Sequence, residues 1–186
     1  MDLFVYLVII NKVVVQRWHP GWWGDAILDV VSLFTAIPVD KACDYINNKL
    51  LKDDPLSSLT SLDNNEITSL LNFVLSNNYF IYHDKIYKQI HGFAMGSPVS
   101  PVVANLCTEA IEEVAINTSE VQLKVWKRCV DDIFCIIKRN AVNFFHTTLN
   151  SIDPHIAFTI EEESEQQIAS LNTLVSHKDN TITIGV

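Results

Sequence analysis

The sequence predicts an α+β fold, a two-layer arrangement in which helices pack on one face of a sheet. Three observations lead there. The 186 residues are 48% hydrophobic, which allows one domain with a sizeable core and is too apolar for a disordered chain. Short apolar runs of strand character alternate with stretches of helical periodicity, in an order compatible with α+β layering. No internal repeat or low-complexity linker interrupts them.

Residues 3 to 15, beginning "LFVYLVII", read as a β-branched strand pair or a packed hydrophobic arm. The run lacks a basic leader and is too short to span a bilayer, so no membrane segment is expected. The Trp- and Gly-rich "RWHPGWWGD" follows as a turn. A strand is expected at about 26 to 34, a turn at Pro38 and a helix at about 39 to 51. After the polar "DDPLSSLTSLDNN", Ile67, Leu70, Leu71 and Val74 recur at helical spacing and predict a helix near 65 to 77 with these residues in the core.

"YFIYHDKIYKQI" alternates around His83-Asp84-Lys85 and reads as a hairpin whose aromatic residues pack internally. Ser100-Pro101 is a helix start, with the serine oxygen capping free amides, and the helix runs to about 115. Residues 125 to 137 form two strands with acids at their turn, and a helix covers 141 to 151. Strands follow near 156 to 161, 168 to 176 and 181 to 186, the last after an Asp179-Asn180 turn.

The net charge of −9 argues against a strongly basic nucleic-acid binder taken as a whole. Charge is unevenly spread: Lys124, Lys127, Arg128, Lys138 and Arg139 flank the acid pair in "WKRCVDDIFCII", whereas Glu161, Glu162, Glu163 and Glu165 form a separate stretch. Collectively the flanking cations favour a polyanion. Cys43, Cys107, Cys129 and Cys135 have no metal-ligand spacing, so neither zinc nor disulfides are implied, and a reducing, intracellular compartment fits. His83 and His91 read as structural or surface residues.

Asp131 and Asp132 carry the chemistry. Adjacent carboxylates at the crest of an apolar hairpin repel and call for a cation. Asp29, at the end of the apolar run in "AILDVVSLFTAIP", supplies a third hard oxygen donor that a strand could bring beside the pair, and such a set suits Mg²⁺. Between the acids lies "HGFAMGSPVSPVVANL", a Gly and Ser/Pro loop entering a helix.

The order acid, loop, acid pair resembles a reverse transcriptase palm, with "DVVSLFTAIP" similar to motif A, "GFAMGSPVSP" to motif B and "CVDD" to motif C. The wording is most similar to the Penelope-like retroelements, over about residues 26 to 186, with 1 to 25 a divergent N-terminal segment. The resemblance implies a palm-like antiparallel sheet with incomplete fingers and no thumb. It implies an RNA-directed DNA polymerase, a nucleotidyltransferase that adds deoxynucleotides to a primer 3′-hydroxyl on an RNA or DNA template with two Mg²⁺ ions, or Mn²⁺. Asp29 and Asp131 would be principal metal ligands, Asp132 a supporting acid and the Val30 carbonyl a further ligand. Phe34, five residues after Asp29, would crowd the sugar 2′ position. Gly92, Met95, Gly96, Ser97 and Pro98 would contact template and incoming nucleotide, and Lys127, Arg128, Lys138 and Arg139 the nucleic-acid backbone.

Cys129 stands where the family has an aromatic residue, and Asn172 where an aspartate is common. The chain stops before a thumb, so missing fingers, thumb or nuclease regions are expected from a longer product or a partner, and the chain alone is expected to be weak or inactive. A second reading is a catalytically inactive retroelement remnant that serves as an interaction module. A nucleotidyl cyclase lacks its Gly-Gly acidic turn here.

Overall fold

The structure, a computed structural model, describes residues 22–52, 59–171, 173–178 and 181–185. The expected arm at 3 to 15, Asn172 and the Asp179-Asn180 turn lie outside the described residues. In chain order the elements are β1 (Trp23–Val30), α1 (Leu33–Ala36), α2 (Val39–Leu50), α3 (Asn64–Ser76), β2 (Tyr79–Tyr82), β3 (Lys85–Lys88), α4 (Ser100–Thr118), β4 (Leu123–Cys129), β5 (Asp132–Lys138), α5 (Val142–Ile152), β6 (Phe158–Glu162), β7 (Gln167–Ser170), β8 (Thr173–Lys178) and β9 (Thr181–Gly185). They fall into two units, one running through Val31 and resuming at Val114, the other spanning Ser32–Glu113.

The first unit is built on an antiparallel sheet of order β4-β5-β1-β6. Its central strands β1 and β5 read as continuous apolar runs because they are covered on both faces: Gly24 to Leu28 and Ile133 to Ile137 are all buried. Because β1 begins at Trp23, Trp23, Gly24 and Asp25 belong to this sheet rather than to the expected turn.

One face packs against α5, where Trp126 meets Phe145 edge to face at 5.4 Å. Val142, Phe145 and Leu149 recur at three- and four-residue spacing and form the buried stripe of that helix. The Asn150 side chain satisfies both backbone groups of Phe158, accepting its N–H at 2.8 Å and donating to its carbonyl at 3.1 Å, which ties α5 to β6.

The other face is covered by a second sheet. Ile27, Val125, Phe134 and Ile136 pack with Ile168 of β7 and Val175 of β8, and β7, β8 and β9 form a three-stranded antiparallel sheet. The sequence predicts one strand over 168 to 176. Leu171, with a left-handed φ of 46°, breaks it into the β7–β8 hairpin. The fold is α+β with an antiparallel sheet as expected, with helix α5 on one face and a small sheet covering the other.

In the second unit, the strand expected to reach residue 34 stops at Val30 because Ser32 turns left-handed, φ 52°, and its carbonyl nucleates α1. Helix α2 buries Ala42, Cys43 and Ile46. Helix α3 starts with a capping box: Asp63 Oδ1 accepts the Glu66 N–H and Glu66 Oε2 accepts the Asp63 N–H, each at 2.8 Å. Leu75 is its buried anchor, whereas the expected core residues Leu70 and Val74 are exposed.

The β2–β3 hairpin forms as expected, but its aromatic residues do not pack inward. All eight strand residues are exposed, and Phe80 and Tyr87 stack on one another at 5.5 Å. Ser100 opens α4, yet its Oγ is buried without a hydrogen-bond partner; the Ser97 hydroxyl accepts the Val99 N–H instead, at 3.4 Å. None of the four cysteines is disulfide-bonded. Among the described residues no helix is long and apolar enough to cross a membrane.

The capping box yields a direct expectation. Asp63→Ala removes the acceptor of the otherwise unmet Glu66 amide and lowers unfolding free energy by about 1 kcal/mol, read as a lower urea midpoint at unchanged slope.

Candidate functional site

The register of β1 on β5 decides where the acids stand. With Ile27 opposite Phe134 and Leu28 opposite Ile133, Asp29 falls opposite Asp132. On its other side Asp29 is opposite Thr159 of β6. Opposed residues of antiparallel strands project to the same face, so the two carboxylates are neighbours at one end of the sheet. Asp131 sits in the tight turn with Val130, whose φ of 60° is a left-handed conformation that strains a β-branched residue. The turn is tied back on both sides: Val30 N–H donates to the Asp131 carbonyl at 3.2 Å, and Arg128 Nη1 donates to the Val130 carbonyl at 3.3 Å.

Asp29 and Asp132 hold their protons more tightly than ordinary aspartates. Asp132 is raised by burial, then by the charges of Asp131 and Asp29. Asp29 is raised by burial and then by Asp131, with a hydrogen bond from Val30 pulling the other way. The three therefore form one like-charged set, and Asp131 is the charge that acts on both others.

A cleft of about 550 Å³ opens beside them, lined by Asp29, Asp132, Thr159, Glu161, Ser170 and Leu171 among others. Glu161 pairs with Ile27 and so shares the face of Asp29. The expectation that the glutamate stretch lies apart from the acids is corrected for this residue. The Ser170 hydroxyl is buried at the cleft wall without a hydrogen-bond partner. Thr159, Glu161 and Ser170 went unrecognised in the sequence, since only the β6 register and the β7–β8 break bring them here.

The basic residues divide. Lys138 is six residues from Asp132 along β5, roughly 20 Å in an extended strand, and it pairs with Trp23 at the other end of the sheet. Lys124 and Lys138 place their ammonium groups 4.2 and 5.6 Å from the Trp23 ring centroid. Arg139 forms an ion pair with Glu163, whose own carboxylate also accepts the Asp25 N–H at 3.1 Å. The locally basic surround is thus corrected: Lys127 and Arg128 remain near the acids, and Lys127 alone of these two shares their face, being opposite Phe134.

In the second unit the structure brings together Phe34 and Gly92. Phe34 is half-buried in α1, and Gly92 is buried with φ 69°. Phe93 N–H donates to the Phe34 carbonyl at 2.6 Å. Met95, Gly96 and Pro98 are exposed and Ser97 half-buried, in a turn where a Cβ on Gly96 would meet nothing within 4 Å.

Among the described residues no group of three or more His, Cys, Asp or Glu side chains is arranged as a metal cage. The donor chemistry still fits a hard cation. Mg²⁺ keeps several waters and takes one or two carboxylates together with substrate oxygens, rather than a closed protein shell.

No family model and no curated protein matches the sequence. Among solved structures, the fold is like that of an apo telomerase from Candida tropicalis truncated from its C-terminal domain. The TM-score is 0.65 at 11% sequence identity, and the match covers 97% of this chain and 38% of that one. The chain thus has a telomerase-like fold and spans well under half the length of the telomerase chain it matches.

The raised carboxyls set the sign of a pH effect. A carboxyl that binds its proton more tightly in the folded state withdraws stability as pH climbs from the ordinary carboxylate range through its raised value. Asp132→Asn therefore stabilises the fold near pH 7, by no more than about 1 kcal/mol for so wetted a group. The gain disappears in denaturant titrations below the ordinary carboxylate range.

Proposed function

We propose that this chain is a reverse transcriptase domain fragment of a retroelement, most similar in its motifs to the Penelope-like branch, performing template-directed addition of deoxynucleotides to a primer 3′-hydroxyl. The observation that carries the reading is Asp29 opposite Asp132 across β1 and β5, with Asp131 in the adjoining turn. The telomerase-like fold supports it.

Asp29 and Asp131 are the principal holders of divalent cations, with Asp132 in support and the Val30 carbonyl as a further oxygen. Such cations, when bound, activate the primer hydroxyl and neutralise the triphosphate charge. The protein's part is to keep three mutually repelling carboxylates at one sheet end so that cation binding relieves their repulsion. Phe34 crowds the sugar 2′ position and thereby favours deoxynucleotides. Met95, Gly96, Ser97 and Pro98 present a backbone that template or nucleotide can approach, and the open space at Gly96 suits that role. Lys127 and Arg128 supply phosphate contacts near the acids.

A second reading, an inactive remnant that binds a partner, draws support from the exposed β2–β3 hairpin.

Primer extension on an RNA template with Mg²⁺ or Mn²⁺ separates the two. Asp29→Asn and Asp131→Asn each lower extension by on the order of 10³-fold without loss of folding. Folded wild-type protein that neither extends a primer nor binds Mn²⁺ favours the remnant, and extension indifferent to both substitutions refutes the site. With extension established, Phe34→Ala admits ribonucleotides, measured as incorporation of ribonucleotide against deoxynucleotide; unchanged discrimination removes Phe34 from its role.

A further inference from the structure

Resting on that reading of Phe34, we infer that Gly92 is a specificity-determining positioning residue, which fixes where the Phe34 ring stands and so sets discrimination between sugars. Helix α1 has four residues, too short to hold its own place. Leu33 buries its side chain, and two backbone contacts fix the course of the helix. At its start the left-handed Ser32 offers its carbonyl to the N–H groups of Thr35 and Ala36, each at 2.9 Å. At its middle the Phe34 carbonyl accepts the Phe93 N–H at 2.6 Å.

The second contact exists only because residue 92 has no side chain. A Cβ there would lie 2.6 Å from Thr35 Cα, 2.8 Å from the Phe34 carbonyl oxygen and 2.9 Å from that of Thr35. All three are backbone atoms, so no side-chain rotation relieves the overlap and one segment must move. The φ of 69° adds to the demand for glycine. Phe93, 1% exposed, and Leu33 of α1, 4% exposed, anchor the two segments in the core, so the overlap is relieved where they touch, by displacement of the Phe34–Thr35 backbone against residue 92. The Phe34 ring moves with that backbone. A gate that separates two sugars by one hydroxyl depends on the position of its ring, and displacement by about an ångström is enough to degrade such selection.

The test is single-nucleotide incorporation with a deoxynucleotide and its ribonucleotide, measured on one preparation of each variant so that the ratio does not depend on the fraction folded. Gly92→Ala lowers the deoxynucleotide preference by on the order of tenfold. In a Phe34→Ala background it changes the ratio no further, because the two act through one ring. An unchanged ratio in Gly92→Ala, or an equal additional change in the double variant, overturns the inference. Should Gly92→Ala fail to fold, Leu33→Val shortens the buried side chain that seats α1; a lowered preference supports the inference and an unchanged one overturns it. A folded version of the chain extended at both ends that lacks activity, or whose activity is indifferent to Asp29→Asn, sinks the polymerase reading itself.

Discussion

The pairing of β1 with β5 is the constraint from which the rest of the candidate site follows. A shift of one residue would turn Asp29 to the α5 side and bring Leu28 opposite Asp132, because side-chain direction alternates along a strand. What prevents it is the apolar register below the acids. Two charges about 5.5 Å apart at an effective dielectric near 20 repel by roughly 3 kcal/mol, while each fully buried Ile or Phe contributes about 1.5 to 3 kcal/mol. Ile27, Phe134 and Ile136 lie in one buried cluster beneath β7 and β8, so the core outweighs the repulsion and holds the carboxylates together.

Much of this was legible in the residues. The extents of α2, α3 and the β2–β3 hairpin follow from periodicity and turn chemistry, and the acid pair marks the β4–β5 turn. What escaped were features set by partners remote in sequence. Linear nearness of Lys138 and Arg139 to Asp132 suggested a shared site, but within a strand each residue adds distance, and both end at the opposite edge beside Trp23 and Glu163. Glu161 made the converse journey, since no local signal specifies that β6 pairs with β1. The β7–β8 break also has no obvious mark, because Leu171 is an unusual residue for a left-handed turn. Gly92 looked like a residue kept small for a ligand, and its neighbours turn out to be the backbone of α1.

The distribution of charge shapes how a polyanion could be held. The acid end has Glu161 beside the aspartates, with Lys127 on the same face. The other end uses its cations internally, two over the Trp23 ring and one on Glu163. On the proposed function, affinity for a phosphate backbone at the cleft would depend on cations that arrive with the substrate, and on Lys127 and Arg128, more than on the net field of the chain.

The β2–β3 ribbon has a physical consequence of its own. Among the described residues it forms a separate two-stranded sheet, so within these residues each strand has an outer row of amides and carbonyls free of ladder partners, while Ile81, Ile86 and Tyr79 are exposed. Such a ribbon is a ready template for intermolecular strand addition, with Lys85 and Lys88 as the charges that oppose it. At this ribbon, ionic strength, by screening those lysines, favours edge-to-edge assembly.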